Sequence, residues 1–417
     1  MRCILHVLLL ASLLSHTACA YFRADPWHYM IRSDIITTPE IEQEVLKKAR
    51  SGWTTDGRIR VIYLAGTPYE RGYQQGVLLR DEIRANLGYF YRQAVRKFHF
   101  RELFDEAFDR ARPYIPEEYM QEMRGLAHGS RLPLSTIHHI HILPEIAEWG
   151  GKKRLQKIMK QMIAGDFSTS CSNLSATGAA TVDGRTYTVR VLDWGLHRIS
   201  KLHQFPLIAV NRPDKGHAYV NIGWAGFLGA ISGMNEEGIT LGEMGYGSPP
   251  NESLSGKPMP FLLRDVLAYT SNLSEVRQII ESSVGTSSFV YLMSDGKTGE
   301  AEMYVRDRDR MLVFEPGTEI SDGSDHYPAI NNTVYGGKYA DRMNKCLSDG
   351  HGKLSVELLM DSIIPEIAMP NNFQNVIYDP AALSFWVNNA ASPEERAAEQ
   401  PYTYFDFRQA LREFETP

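Results

Sequence analysis

The chain has 417 residues, 43% of them hydrophobic, and a formal charge of −6. That length supplies core for one large domain or two ordinary ones, and the mild acidity argues against a nucleic-acid binder. Only 4 residues are cysteine.

Residues 1–20 open with Arg2 and a short apolar run, too short to span a bilayer, and end on Ala18-x-Ala20. They read as a cleavable signal peptide, which predicts a secreted or periplasmic protein. Lipidation of Cys19 is the alternative, disfavoured by His16 where a lipoprotein signal has an aliphatic residue. Loss of the leader leaves Cys171 and Cys346, enough for at most one bridge. No second hydrophobic span follows.

Residues 39–165 are predicted to be mostly helical. Leu79, Ile83, Leu87 and Phe90 share one face opposite charged positions, and 132–146 and 152–163 are further amphipathic runs. The basic residues Lys152, Lys153, Arg154, Lys157 and Lys160 read as a solvated helix face. At Cys171 the texture changes. Residues 173–194 have a hairpin pattern with Asp183-Gly184 at the turn, and 205–224 and 230–244 repeat the alternation of strand and polar turn. Helical segments follow around 261–280, 338–347 and 355–364, and 375–389 closes the chain in strand alternation. Blocks of strands and blocks of helices predict α+β with antiparallel sheets.

The common catalytic signatures are missing: no G-x-S-x-G, no H-E-x-x-H and no phosphate-cradling glycine loop occurs. His138, His139 and His141, with Glu145 and Glu148 nearby, form the one histidine cluster, in surroundings that read as an ordinary amphipathic helix. Cys171 stands apart, behind the hydroxyl-rich Ser168-Thr169-Ser170 at the composition boundary. Cutting the Ser170–Cys171 bond would give one residue both a thiol and an α-amine. An α-amine has an ordinary pKa of about 7.7–8.0, so it can take the thiol proton and return it to a leaving amine. No histidine is then required.

The segment from Cys171 to Trp194, "CSNLSATGAATVDGRTYTVRVLDW", resembles the opening of the N-terminal-nucleophile cysteine hydrolases, a superfamily that includes choloylglycine hydrolase, penicillin V acylase and acid ceramidase. "GTPYERGYQQG", residues 66–76, is most similar to the isopenicillin-N acyltransferase-like group (acyl-coenzyme A:6-aminopenicillanic-acid acyltransferase). The resemblance runs from about Gly66 to the C-terminus.

It implies a four-layer αββα sandwich with an N-terminal, mostly helical propeptide chain, and a precursor that cuts itself between Ser170 and Cys171. The expected organisation is residues 1–20 as signal peptide, 21–170 as the N-terminal chain, and 171–417 as the catalytic chain, the last two remaining associated as a heterodimer. Cys171 would be the nucleophile. Arg190 and Asp193 match R-x-x-D, with Asp193 holding the α-amine and Arg190 ordering the thiol and substrate carbonyl. Gly233, Asn235 and Gly238 are expected to serve a tight turn. In "TLGEMGY" Glu243 or Met244 stands where relatives place an oxyanion contributor, a departure that leaves that donor unassigned. Asn331, or its neighbour Asn332, would be the amide donor to the oxyanion, and Arg342 matches the late arginine.

The expected enzyme is an amidohydrolase or acyltransferase acting on a small linear amide or thioester through an acyl-cysteine, with no cofactor and no metal. Two rivals stand beside it: a non-enzymatic exported binding protein that keeps the fold without processing, and a metal-dependent hydrolase built on His138, His139 and His141.

Overall fold

The computed structural model describes residues 35–92, 101–148, 171–195, 200–245, 253–321 and 326–415. The leader, Cys19, the run 152–163 and Ser170 lie outside them.

The N-terminal segment contains the helices α1 (Pro39–Lys47), α2 (Pro68–Leu78), α3 (Arg80–Phe90), α4 (Arg101–Ala111), α5 (Glu117–Ser130) and α6 (Leu134–Glu148). It also contains a hairpin that the helical reading missed. Strands β1 (Arg50–Trp53) and β2 (Arg60–Gly66) pair from Arg50↔Tyr63 to Trp53↔Arg60.

The "GTPYERGYQQG" stretch has a structural explanation. Thr67 caps α2, accepting from the Glu70 amide at 3.3 Å while the Glu70 carboxylate accepts from the Thr67 amide at 2.8 Å. Behind that cap, Gly72 and Gly76 let α2 press against α5. A Cβ at Gly72 would stand 1.9 Å from the Glu122 carbonyl oxygen, and one at Gly125 would stand 2.1 Å from that of Tyr69. The motif builds a close helix pair and carries no reacting group.

From Cys171 onward the chain is mostly strand. The first strands are β3 (Ser172–Gly178), β4 (Gly184–Asp193), β5 (Pro206–Pro213), β6 (Tyr219–Trp224), β7 (Gly233–Asn235) and β8 (Thr240–Gly245). Helices α7 (Met259–Tyr269) and α8 (Leu273–Ser282) precede β9 (Phe289–Ser294), β10 (Ala301–Arg306) and β11 (Met311–Phe314). The small pair β12 (Ile320–Ser321) and β13 (His326–Tyr327) leads to β14 (Thr333–Gly337) and α9 (Ala340–Asp349). A helical run, α10 (356–367, with a π turn over Leu359–Ile363), precedes β15 (Asn372–Asp379), β16 (Ser384–Asn389), β17 (Thr403–Asp406) and α11 (Phe407–Glu415).

These strands form a nine-stranded sheet, β1-β2-β5-β6-β7-β8-β9-β10-β11, and a six-stranded sheet, β14-β3-β4-β15-β16-β17. Their side chains sort by strand parity into separate cores. Val210, Val220 and Met234 of the large sheet meet Val376, Tyr378 and Phe385 of the small one. On the small sheet's other face Leu174, Val189 and Val191 pack on Met343 and Leu347 of α9 and Ile363 of α10. Outside the large sheet, Leu64, Leu241 and Leu292 share a core with Ile83, Leu87, Met123 and Leu263 from α3, α5 and α7. The order of layers is helix, sheet, sheet, helix. Each buried aliphatic contributes on the order of 1.5–3 kcal/mol.

The expectation of wholly antiparallel sheets needs one correction: β2 and β5 run parallel, from Arg60↔Leu207 to Gly66↔Pro213. The connection between them passes through seven helices and strands, far longer than the crossover a parallel pair needs. In consequence the segment before Cys171 is hydrogen-bonded into the large sheet.

Candidate active site

Cys171 immediately precedes β3, is 8% exposed and has no disulfide partner. Strand β3 lies between β14 and β4, with Ser172 opposite Gly337 and Val191, and Asn173 opposite Gly336 and Arg190. Gly337, at φ +143°, allows the backbone to approach Cys171: a Cβ there would meet the Cys171 carbonyl oxygen at 2.7 Å.

R-x-x-D works through a change of face. Arg190 and Asp193 are an odd number of residues apart on β4, so their side chains leave opposite faces of the strand. Arg190 is fully buried and its Nη2 pairs with Oε1 of Glu243, on β8 of the other sheet. Asp193 is also fully buried; its Oδ1 accepts from Asn372 Nδ2 at 2.9 Å and from the Met369 amide at 3.2 Å. The Asp193 backbone amide donates to the Cys171 sulfur, so one residue touches Cys171 with its main chain and carries a carboxylate beside it.

Burial governs the charge states. It pushes the Cys171 thiol well up, against the opposing pull of Arg190, so the uncut chain holds a neutral thiol. Burial pushes Asp193 up to about 7, against donation from Asn372 and Met369 and the charge of Arg190. It raises Glu243 as well, although Arg190 favours that carboxylate's charged form.

Several buried polar atoms here have no protein partner among the described residues: Asp193 Oδ2, Arg190 Nε and Nη1, Ser172 Oγ and both side-chain polar atoms of Asn173. An unbonded buried polar group costs about 1–3 kcal/mol, so such a cluster around one cysteine is a functional signal. Deeper between the sheets a set of hydroxyls is paired: Thr188 donates to Ser294 at 2.8 Å, and Thr240 and Ser294 hydroxyls meet at 2.6 Å.

The structure thus brings Cys171, Arg190 and Asp193 together. It does not bring Asn331. The Asn332 carbonyl accepts from the Thr177 amide at 2.8 Å, which fixes this pair at the far end of β3. Thr177 lies six residue steps from Cys171 along the extended chain, roughly 20 Å, and the Asn331 side chain is exposed. Asn332 has φ +59°, which fits a left-handed turn residue. Arg342 is exposed on α9, its guanidinium 4.7 Å from the centre of the Tyr339 ring. Of the late motif, only the glycines of β14 reach the nucleophile.

Sequence reasoning missed Asn173, buried at 1% exposure and separated from Cys171 by one residue. Period-two alternation puts positions 171 and 173 on the same side of an extended chain, and that was the available signal. It also missed Asn372, which comes beside Asp193 only through the fold. Asn235 is structural as expected, accepting from the Glu237 and Ile239 amides at 3.2 and 2.9 Å.

The histidine rival is overturned by geometry. His139 Nε2 bonds Asp105 at 2.7 Å; His141 Nδ1 donates to the Ile137 carbonyl at 2.7 Å, and its Nε2 accepts from the Leu228 amide at 2.8 Å. His138 stacks on Phe108 with centroids 3.8 Å apart. Burial pushes His138 down to about 3 and His141 to about 4. Glu145 binds the Met259 amide and the Thr286 hydroxyl. No group of three His, Cys, Asp or Glu among the described residues is arranged to hold a metal ion.

A buried cysteine heads an inner strand in a helix–sheet–sheet–helix sandwich, the layer order that the motif resemblance implies for an N-terminal-nucleophile hydrolase. The sequence pattern of the acyl-coenzyme A:6-aminopenicillanic acid acyl-transferase family matches residues 182–332, a span that holds Arg190 and Asp193 and begins after Cys171, and the resemblance read from the motifs is upheld.

Protein dcd1A of Dictyostelium discoideum is 26% identical over 327 residues, covering 70% of this chain and 69% of its own. Protein dcd1B of the same organism is 20% identical over 353 residues, covering 77% and 66%. Among solved structures, the Caenorhabditis elegans N-acylethanolamine-hydrolyzing acid amidase ortholog has a TM-score of 0.37 at 14% identity, covering 51% of this chain and 93% of that one. Penicillin V acylase from Agrobacterium tumefaciens has a TM-score of 0.37 at 11% identity, covering 57% and 87%.

Proposed function

We propose that the chain is a self-processing N-terminal-cysteine amidohydrolase or acyltransferase. The observation that carries this reading is the buried Cys171 beside a buried Asp193 whose second carboxylate oxygen has no protein partner among the described residues. In maturation, Cys171 Sγ attacks the Ser170 carbonyl carbon, the peptide C–N bond breaks, and the nitrogen leaves as the Cys171 α-amine. Water then hydrolyses the thioester, giving a carboxylate at Ser170 and restoring the thiol. The new ammonium would meet Asp193 Oδ2, and its positive charge would draw that carboxylate into the ionised form.

In turnover the α-amine takes the thiol proton as sulfur attacks the substrate carbonyl. The C–N bond then breaks, the leaving amine takes that proton, and an acyl-cysteine remains for water or a second amine. Asn173 would donate to the developing oxyanion, with Arg190 beside it. A small linear amide or thioester is the substrate class, and the two chains remain joined through β2 and β5. Residues 1–20 would direct the enzyme to secretion or to the periplasm, with lipidation at Cys19 the alternative route.

The test is to incubate the mature protein with a panel of linear acyl amides and measure the mass of the chain bearing Cys171. Release of amine with a transient acyl mass on that chain is expected. Turnover that survives Cys171→Ala would overturn the reading, and a stably uncut, inactive chain would favour the binding-protein rival.

A further inference from the structure

The buried carboxylate of Asp193 is held asymmetrically, and the residue responsible arrives through an irregularity in β15. That strand pairs with β4 as Gln374↔Leu192 and then Asn372↔Asp193, so Phe373 is the extra residue of a bulge. In regular register Phe373 would stand opposite Asp193. Its ring is instead fully buried and stacked on Trp224, with centroids 4.5 Å apart. The bulge therefore exchanges a phenyl ring for an amide beside the carboxylate.

The orientation of that amide is fixed by its neighbours. Asn372 Oδ1 accepts from the Ala398 backbone N–H at 2.8 Å, and a backbone N–H can only donate. The other end of the amide is therefore Nδ2, and it faces Asp193 Oδ1 at 2.9 Å. Asn372 and Asn375 also bond reciprocally, at 2.8 and 2.9 Å, and Asn375 Nδ2 reaches Asn388 Oδ1 at 2.9 Å. Asn388 Nδ2 donates in turn to the Gln400 carbonyl at 3.0 Å. Asn372, Asn375 and Asn388 are all at most 2% exposed. A chain of oriented amides, locked at its far end, ends on one oxygen of Asp193 and leaves Oδ2 open.

We propose that Asn372 is a positioning residue: by donating to Oδ1 it favours the ionised form of Asp193 and turns Oδ2 toward the Cys171 terminus. This rests on the reading of Asp193 as the partner of the Cys171 α-amine. The other charged or titratable groups acting on the carboxylate are Arg190 on its own strand, Arg396 in the segment before β17, and Cys171, with Glu243 acting through its pair with Arg190.

The experiment has two arms. In the uncut Cys171→Ala chain, the titration midpoint of Asp193 in the folded state, close to 7, is read as the pH at which the fall of stability with rising pH levels off. Asn372→Leu removes the donor and should raise that midpoint by about 1–2 pH units, the worth of one hydrogen bond to a charged group. Asn372→Asp keeps the shape and the Ala398 contact but sets two carboxylates side by side, so it should raise the midpoint at least as far. In mature enzyme, the acid limb of the pH–rate profile should move upward in parallel, with KM little changed.

An unmoved midpoint in both variants overturns the assignment, and so does a moved midpoint with an unmoved acid limb. A chain that never exposes a Cys171 terminus contradicts the underlying reading instead, and the Cys171→Ala titration still decides the role of Asn372.

Discussion

Replacing Asp193 by Asn in the uncut chain should change how stability depends on pH. In the folded protein the carboxyl titrates at about 7, whereas an unfolded aspartate titrates near 3.9. A raised folded pKa stabilises the fold fully below the unfolded value, and that stabilisation is lost as pH rises through about 7. Between pH 5 and pH 8 a single group with these two values loses about 2.5 kcal/mol of folding free energy. Urea unfolding of Cys171→Ala and of Cys171→Ala/Asp193→Asn, followed by tryptophan fluorescence at both pH values, isolates this contribution because all other groups are shared. The single variant should weaken from pH 5 to pH 8 by about 2.5 kcal/mol more than the double variant. Equal slopes would refute the placement of Asp193 as a desolvated, half-satisfied carboxylate.

Two asparagines should exchange the roles that sequence alone suggested. Asn173→Ala is expected to lower kcat roughly 100-fold or more, as loss of an oxyanion donor does, while Asn331→Ala stays within a few-fold of the parent in the same assay. Thiol labelling should reverse on maturation: before cleavage the partly exposed Cys346 reacts ahead of the buried Cys171, and afterwards Cys171 reacts first, as read by peptide mass mapping. Gly125→Ala places a Cβ 2.1 Å from the Tyr69 carbonyl oxygen, a contact that only backbone movement relieves. It should lower the thermal midpoint by several degrees and loosen the α2–α5 pair, seen as faster hydrogen exchange there.

That Cys171, Arg190 and Asp193 come together was legible because they lie on adjacent stretches of one hairpin, where sequence spacing and spatial spacing agree. Strand alternation likewise revealed β3 and β4, since one face of each packs on α9 and α10 while the other meets polar partners between the sheets. Asn331 misled because a late asparagine can be aligned with a motif without revealing which end of β14 it occupies; that depends on the β14–β3 register. Asn372 was invisible for a related reason: a one-residue bulge decides whether Asn372 or Phe373 faces Asp193, and no local pattern announces it. The β1–β2 hairpin was missed because its strands are short and flanked by strongly periodic helices. The contact of Arg190 with Glu243 spans 53 residues, and only sheet packing brings the two together.

The central claim is that Cys171 becomes an N-terminus by its own chemistry, and intact-mass measurement of the purified protein tests it most directly. The account predicts two masses, one of them that of residues 171–417 with a free cysteine at its start, and a single uncut mass for Cys171→Ala. An uncut parent chain that turns over a linear amide, or a Cys171→Ala chain cut at the same bond, would contradict it.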